Sequence, residues 1–136
     1  MSASVSVKSK RQVAERAGFK CEYCLLPERV SFYTFHVDHI RSLKHFGSSL
    51  LKNLAYCCPE CNHFKGTDIA TFLNNSDALI RFFNPRIDDW DEHFELNNGA
   101  IFGITAIGIA TENIFKFNDT DRLIFRKQLI ALSQYP

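Results

Sequence analysis

Two Cys-x-x-Cys pairs, Cys21/Cys24 and Cys58/Cys61, stand 33 residues apart in a chain of 136, and no other feature of the sequence restricts the fold so sharply. Each pair has the tight-turn spacing that places two sulfurs on one side of an ion, and four thiolates make a closed tetrahedral zinc site. Four buried cysteines acting only as small hydrophobes would not explain two paired spacings. Disulfides are disfavoured by the same spacing and by the reducing compartment expected below. A closed site has no open coordination position, so the zinc is expected to hold structure and leave chemistry to another centre. Cys57, beside a ligand on an expected strand, should point the other way and serve as a core thiol.

The length suits one domain, and a chain that is 46% hydrophobic with 13 phenylalanines has a core-forming composition. No run approaches the roughly 18 apolar residues that span a bilayer, and Met1–Lys10 lacks the apolar stretch of a signal peptide. A cytoplasmic protein with no membrane partner is the expectation. The net charge of +1 is uninformative, but its distribution is not: from Met1 to Cys24, Lys8, Lys10, Arg11, Arg16 and Lys20 stand against Glu15 and Glu22, whereas residues 77–98 hold six acids against Arg81 and Arg86. One end can face phosphates. Lys10, Arg11 and Arg16, with Arg41 and Lys44 further on, are the candidate DNA contacts.

Ser9 can cap a helix running to Ala17, stopped by Gly18. A strand is expected near Phe35–Ile40 and a second over Leu54–Cys57; Pro59 then forces a turn, and Asn62 looks like a helix start. Ile69, Phe72 and Leu73 continue a helical face, interrupted before Leu79–Phe83. Asn97-Asn98-Gly99 between apolar runs signals a hairpin. Helices over Ala106–Phe117 and Asp121–Leu132 close the chain, the latter covering the core with Leu123, Ile124, Leu129 and Ile130.

Between the cysteine pairs lie Phe35-His36-Val37-Asp38-His39-Ile40, then Asn53-Leu54, then Cys61-Asn62-His63-Phe64-Lys65-Gly66. This pattern over residues 21–66 resembles the HNH endonuclease family: an Asp-His pair ending a strand, an Asn before the second strand, and Cys-Asn-x-x-Lys opening a helix, framed by Cys-x-x-Cys pairs. The resemblance implies an α+β fold with a small ββα-metal (His-Me finger) core, a structural zinc, an extra hairpin and C-terminal helices. A single domain over 1–136 would divide into a basic N-terminal helix (1–20), a zinc-stabilised HNH core (21–75) and an accessory hairpin with helices (76–136).

It also implies hydrolysis of DNA phosphodiester bonds, leaving a 5′-phosphate and 3′-hydroxyl. A neutral imidazole can take a proton from water near neutral pH, which makes His39 the candidate general base. A hard cation, Mg²⁺ or Mn²⁺, takes oxygen ligands, and Asp38 and Asn62 are the expected pair. By resemblance Asn53 is the middle Asn of the family pattern and ties the loop to the strand, orienting His39. Lys65, one turn into the helix, would place its ammonium on a phosphate; the alternative is a solvated helix lysine. His36 and His63 are possible extra contacts, as is His45, or else ordinary strand, helix and loop histidines.

Residues 82–118 resemble a tail found in one bacterial branch of the family, except that Ile109 stands where an arginine commonly follows the second glycine. The tail therefore reads as scaffold, with Trp90, Phe94 and Phe102 in the core. Two other functions are compatible with the same residues: a non-catalytic zinc-knuckle DNA-binding module, and an adaptor working with a specificity or defence-system protein.

Overall fold

The computed structural model describes residues 5–136, so the first four residues of the expected N-terminal segment lie outside it. Helix α1 spans Val7–Arg16 and buries Val13 and Ala14. Its cap is Ser6, whose hydroxyl accepts from the Ser9 N–H, and not Ser9 as expected. Both serines meet the residue preference for a cap, and only the direction of the bond distinguishes them. Gly18 takes the left-handed conformation anticipated for the helix stop.

Strands β1 (His36–His39) and β2 (Leu54–Cys57) pair antiparallel, with His36 opposite Cys57 and His39 opposite Leu54. Helix α2 follows at once, over Pro59–Lys65. It starts three residues before the expected Asn62 because Cys58 is its cap, the Sγ accepting from the Cys61 N–H. Pro59 does not break the chain there; it occupies the first turn, where its missing N–H costs nothing.

The helical reading of Ile69–Leu73 and Leu79–Phe83 is overturned. Gly66 ends α2, and Ala70–Phe72 (β3) and Leu79–Arg81 (β4) form an antiparallel ribbon. Phe72 and Leu79, paired across it, are both exposed. Short apolar runs carry too few residues for their period to separate helix from strand.

A single turn, α3 (Trp90–His93), leads into the hairpin of β5 (Phe94–Asn97) and β6 (Ala100–Gly103). Asn98 and Gly99 both have positive φ at its turn, as the Asn-Gly signal requires. Helix α4 (Ala106–Phe115) starts close against this hairpin: a Cβ on Gly108 would lie 2.0 Å from the His93 carbonyl oxygen. Helix α5 (Thr120–Ala131) buries Leu129 as expected, but Ile124 and Ile130 are exposed and Arg126 is buried on the inner face instead. The Arg126 guanidinium is satisfied there by the carbonyls of Gly99 and Phe117 and by Asn118 Oδ1.

The core is aromatic. Tyr23, Phe82, Phe83, Phe94, Phe115 and Phe117 are all buried, with ring centroids 5.0 Å apart for Tyr23 and Phe115 and 5.3 Å for Phe83 and Phe94. Burying each such ring stabilises by about 1.5–3 kcal/mol. Trp90 packs on Phe94 and donates Nε1 to the Tyr23 carbonyl, whereas Phe102, expected inside, is exposed on the outer side of β6. This cluster joins the segment bearing the first cysteine pair to the C-terminal elements. The fold is thus a mixed α+β one with hairpins and C-terminal helices. Among the described residues no helix is long and apolar enough to cross a membrane.

Candidate metal clamp and histidine site

The turn after Lys20 carries Cys21 and Cys24; the β2–α2 junction carries Cys58 and Cys61. All four are buried and unpaired by disulfides, and their sulfurs lie within 4.8 Å of one another. Tetrahedral zinc–thiolate bonds of about 2.3 Å would set the sulfurs about 3.8 Å apart, and Cys24 and Cys58 are already at 3.6 Å. Within each pair the amide of the second cysteine donates to the first sulfur, at 3.5 and 3.4 Å. Donor set, spacing and amide bonds are consistent with a structural zinc. Cys57 is a buried thiol, as anticipated, and its Sγ donates to the Cys58 carbonyl at 3.4 Å.

The clamp has partners that no spacing in the sequence announces. Arg122 on α5 donates Nη2 to Cys61 Sγ at 3.1 Å and also bonds the Phe115 carbonyl. Burial opposes its charge, yet the sulfurs of Cys61, Cys24 and Cys58 outweigh that and raise its pKa. Tyr135 donates its hydroxyl to the Cys24 carbonyl from the last turn of the chain. A cavity of about 790 Å³ lies on this side, between α2 and α5, and His39 does not line it.

On the β1–α2 side, Asp38 and His39 point in opposite directions, as neighbours on a strand must. Asp38 is 6% exposed. Its Oδ2 accepts from the Tyr23 hydroxyl at 2.7 Å and its Oδ1 from Lys65 Nζ at 3.2 Å. Burial raises the Asp38 pKa, and the Lys65 ammonium works against that rise. Lys65 is itself only 2% exposed and donates again to the His39 carbonyl at 3.0 Å.

Lys65 is not the solvated helix lysine given as the alternative: it is buried at the end of α2, and its ammonium pairs with Asp38. Asp38 in turn is engaged at both oxygens, Oδ2 by the Tyr23 hydroxyl and Oδ1 by the Lys65 ammonium. Asn62, the other expected ligand, is half-buried on α2.

His39 is half-buried, and its Nε2 lies 2.9 Å from Ser49 Oγ. Its backbone is held from two sides, by Lys65 at its carbonyl and by the β2 ladder, which continues as the Ile40 N–H donates to Asn53 O. The Asn53 side chain closes the loop: Oδ1 accepts from the Arg41 N–H, and Nδ2 donates to the carbonyls of Arg41 and Ser48. Gly47 makes this closure possible, because a Cβ there would fall 1.7 Å from the Arg41 oxygen. His36 and His63 are exposed, on β1 and α2.

The candidate DNA contacts divide. Lys10 and Arg11 are exposed on α1, and Arg41 and Lys44 are exposed on the β1–β2 loop. Arg16 is exposed as well, and its guanidinium donates to the carbonyls of Leu51 (3.0 Å) and Leu54 (2.6 Å) and so braces α1 on the second strand. Arg86, which is paired with Glu22, reaches the same Leu54 carbonyl.

The model of the HNH endonuclease family matches residues 21–68. The Septu protein PtuB of Bacillus thuringiensis is 26% identical over 126 residues, covering 90% of this chain and 46% of that protein, so the chain spans less than half the length of this relative. No solved structure matches the chain. Residues 21–68, from the first sulfur of the clamp to the turn that ends α2, are therefore a domain of the HNH endonuclease family.

Proposed function

We propose that this protein hydrolyses DNA phosphodiester bonds in a divalent-metal-dependent reaction, with His39 as general base and a zinc ion in the four-cysteine clamp holding the fold. The observation that carries this reading is the setting of His39: its backbone is held by Lys65 and the strand ladder while its imidazole lies outside the buried Asp38 network, against a loop serine. With Nε2 donating to Ser49 Oγ, the lone pair is on Nδ1. That nitrogen takes a proton from water, the hydroxide oxygen forms the new bond to phosphorus, and the leaving 3′ oxygen departs to be protonated by solvent. Asn53 is a positioning residue in this scheme, holding the loop that presents Ser49. Asn62, half-buried on α2, is with Asp38 the oxygen pair we assign to the ion.

Five free thiols support a reducing, cytoplasmic setting. The likeness to Septu protein PtuB supports a defence-system context with a partner protein besides DNA. The test is incubation of supercoiled plasmid with the purified full chain and Mg²⁺ or Mn²⁺. Nicked or linear product from wild type, abolished by a chelator and reduced at least about 100-fold by His39→Ala, is the expected result. Equal inactivity of both proteins under every divalent ion would favour the non-catalytic DNA-binding module instead.

A further inference from the structure

The β1–β2 loop presents an aromatic ring in a way that packing does not explain. Phe46 is 90% exposed, and its backbone is left-handed, with φ 65° and ψ 28°. An L residue with a bulky side chain adopts that conformation only where surrounding structure imposes it. Here the loop does so. The Phe46 N–H donates to the Leu43 carbonyl and the Gly47 N–H to that of Ser42, while the buried Ser42 hydroxyl donates to the Thr67 carbonyl beyond α2. Asn53 closes the same loop from the other side. The ring is therefore held rigidly outward, with Leu50 (59% exposed) and Leu43 (41%) flanking it.

The charge around it identifies the occupant. From His39 through Pro59 the chain contains Arg41, Lys44 and Lys52 and no aspartate or glutamate. Arg41, Lys52, Leu50 and Phe46 line one shallow groove of about 340 Å³. An exposed apolar ring inside an all-cationic loop matches a polyanion with apolar layers behind its charges. In duplex DNA, phosphates meet the cations, and a side chain inserted between base pairs meets the stack. Ser49, the partner of His39, lies three residues beyond Phe46 on this loop.

We infer that Phe46 is a wedge that enters the base stack of duplex DNA beside the His39 site, with Arg41, Lys44 and Lys52 seated on the flanking phosphates. The inference rests on the reading of His39 as a DNA site and adds local unstacking as part of how that DNA is held.

The experiment uses the full chain in a His39→Ala background, so that the DNA stays intact, and a short duplex with 2-aminopurine at several interior steps. Binding is read by anisotropy and unstacking by the rise in 2-aminopurine fluorescence. Glycine accepts the left-handed conformation without strain, so Phe46→Gly preserves the loop, and a melting curve checks it. The expected result is a fluorescence rise that is lost in Phe46→Gly together with about tenfold of the affinity, and kept in Phe46→Trp. Binding by wild type with no fluorescence rise, or a rise unaffected by Phe46→Gly, overturns the wedge and leaves the DNA reading standing. Absence of binding by either protein removes both. Light scattering that shows a dimer dissolved by Phe46→Gly would assign the ring to a second copy of the chain and overturn the wedge as well.

Discussion

Arg122 on the final helix donates to the Sγ of Cys61 at 3.1 Å and lies 3.9 Å from that of Cys58. Four thiolates around a divalent ion would leave the site with net negative charge, and a half-buried guanidinium at that distance would stabilise it through charge-assisted bonds. Arg122→Met is expected to speed the transfer of zinc to a chromogenic chelator by about tenfold or more. Arg122→Lys, a point charge without the planar fork, should restore part of the difference. In the wild type, stripping the metal should lower the melting temperature, because metal binding and folding of the clamp are one equilibrium.

The Asp38–Lys65 pair leads to a stability prediction. Lys65→Met leaves a 6% exposed carboxylate without its cation, which should cost about 3–5 kcal/mol in urea unfolding. The double variant Asp38→Asn/Lys65→Met should recover most of that loss.

The same pair predicts a pH dependence whose sign follows from burial. Asp38 is held above its ordinary value of 3.8, chiefly by desolvation, so the native state takes up the proton more readily than the unfolded chain. Its contribution to stability therefore falls as pH rises from about 3.8 through the native value. Removing the opposing Lys65 charge raises that native value further. The deficit of Lys65→Met should accordingly shrink on acidification, as measured by urea midpoints across pH.

Asp88 behaves in the opposite way. Arg81 grips both its oxygens at 2.7 and 2.9 Å, and the Asn84 N–H adds a third bond. The Arg81 bonds, first among the causes, lower its pKa below 3.8. The resulting stability is fully present above the unfolded value and lost as pH falls through the native one. Asp88→Asn should cost about 1 kcal/mol near neutral pH, Arg81 being half in solvent, and the gap between variant and wild type should close as pH falls through the native value.

Asn53→Ala removes three hydrogen bonds of the β1–β2 loop. We expect a loss of about 1–2 kcal/mol, since the site is partly in water. Plasmid cleavage should fall by a larger factor than this destabilisation alone would produce, with the circular dichroism spectrum unchanged. An unaltered cleavage rate would show that the loop does not position His39.

Where sequence reasoning succeeded, the signal was local. Two strands ending at His39 and Cys57, the Asn-Gly hairpin, and the pairing of Cys21/Cys24 with Cys58/Cys61 were legible because each depends on spacings of a few residues or on one turn type. It failed over 69–83, where short apolar runs fit either period, at Ser6, where two nearby serines met the same preference, and at the start of α2, where the Cys58 sulfur caps the helix three residues ahead of Asn62.

By itself the amino-acid order determined that four thiolates would be offered in two clips, and that an aspartate and a histidine would leave one strand on opposite faces, since successive strand side chains alternate. Only tertiary packing decided who met them. Lys65 reached Asp38 on β1 from the end of α2, Arg16 bonded the Leu51 and Leu54 carbonyls, and Arg122 closed on Cys61 from 61 residues away. Such pairings depend on how elements are oriented against a shared aromatic core. A buried charge takes whichever partner that packing brings within reach, because leaving it alone costs more than any local preference can repay.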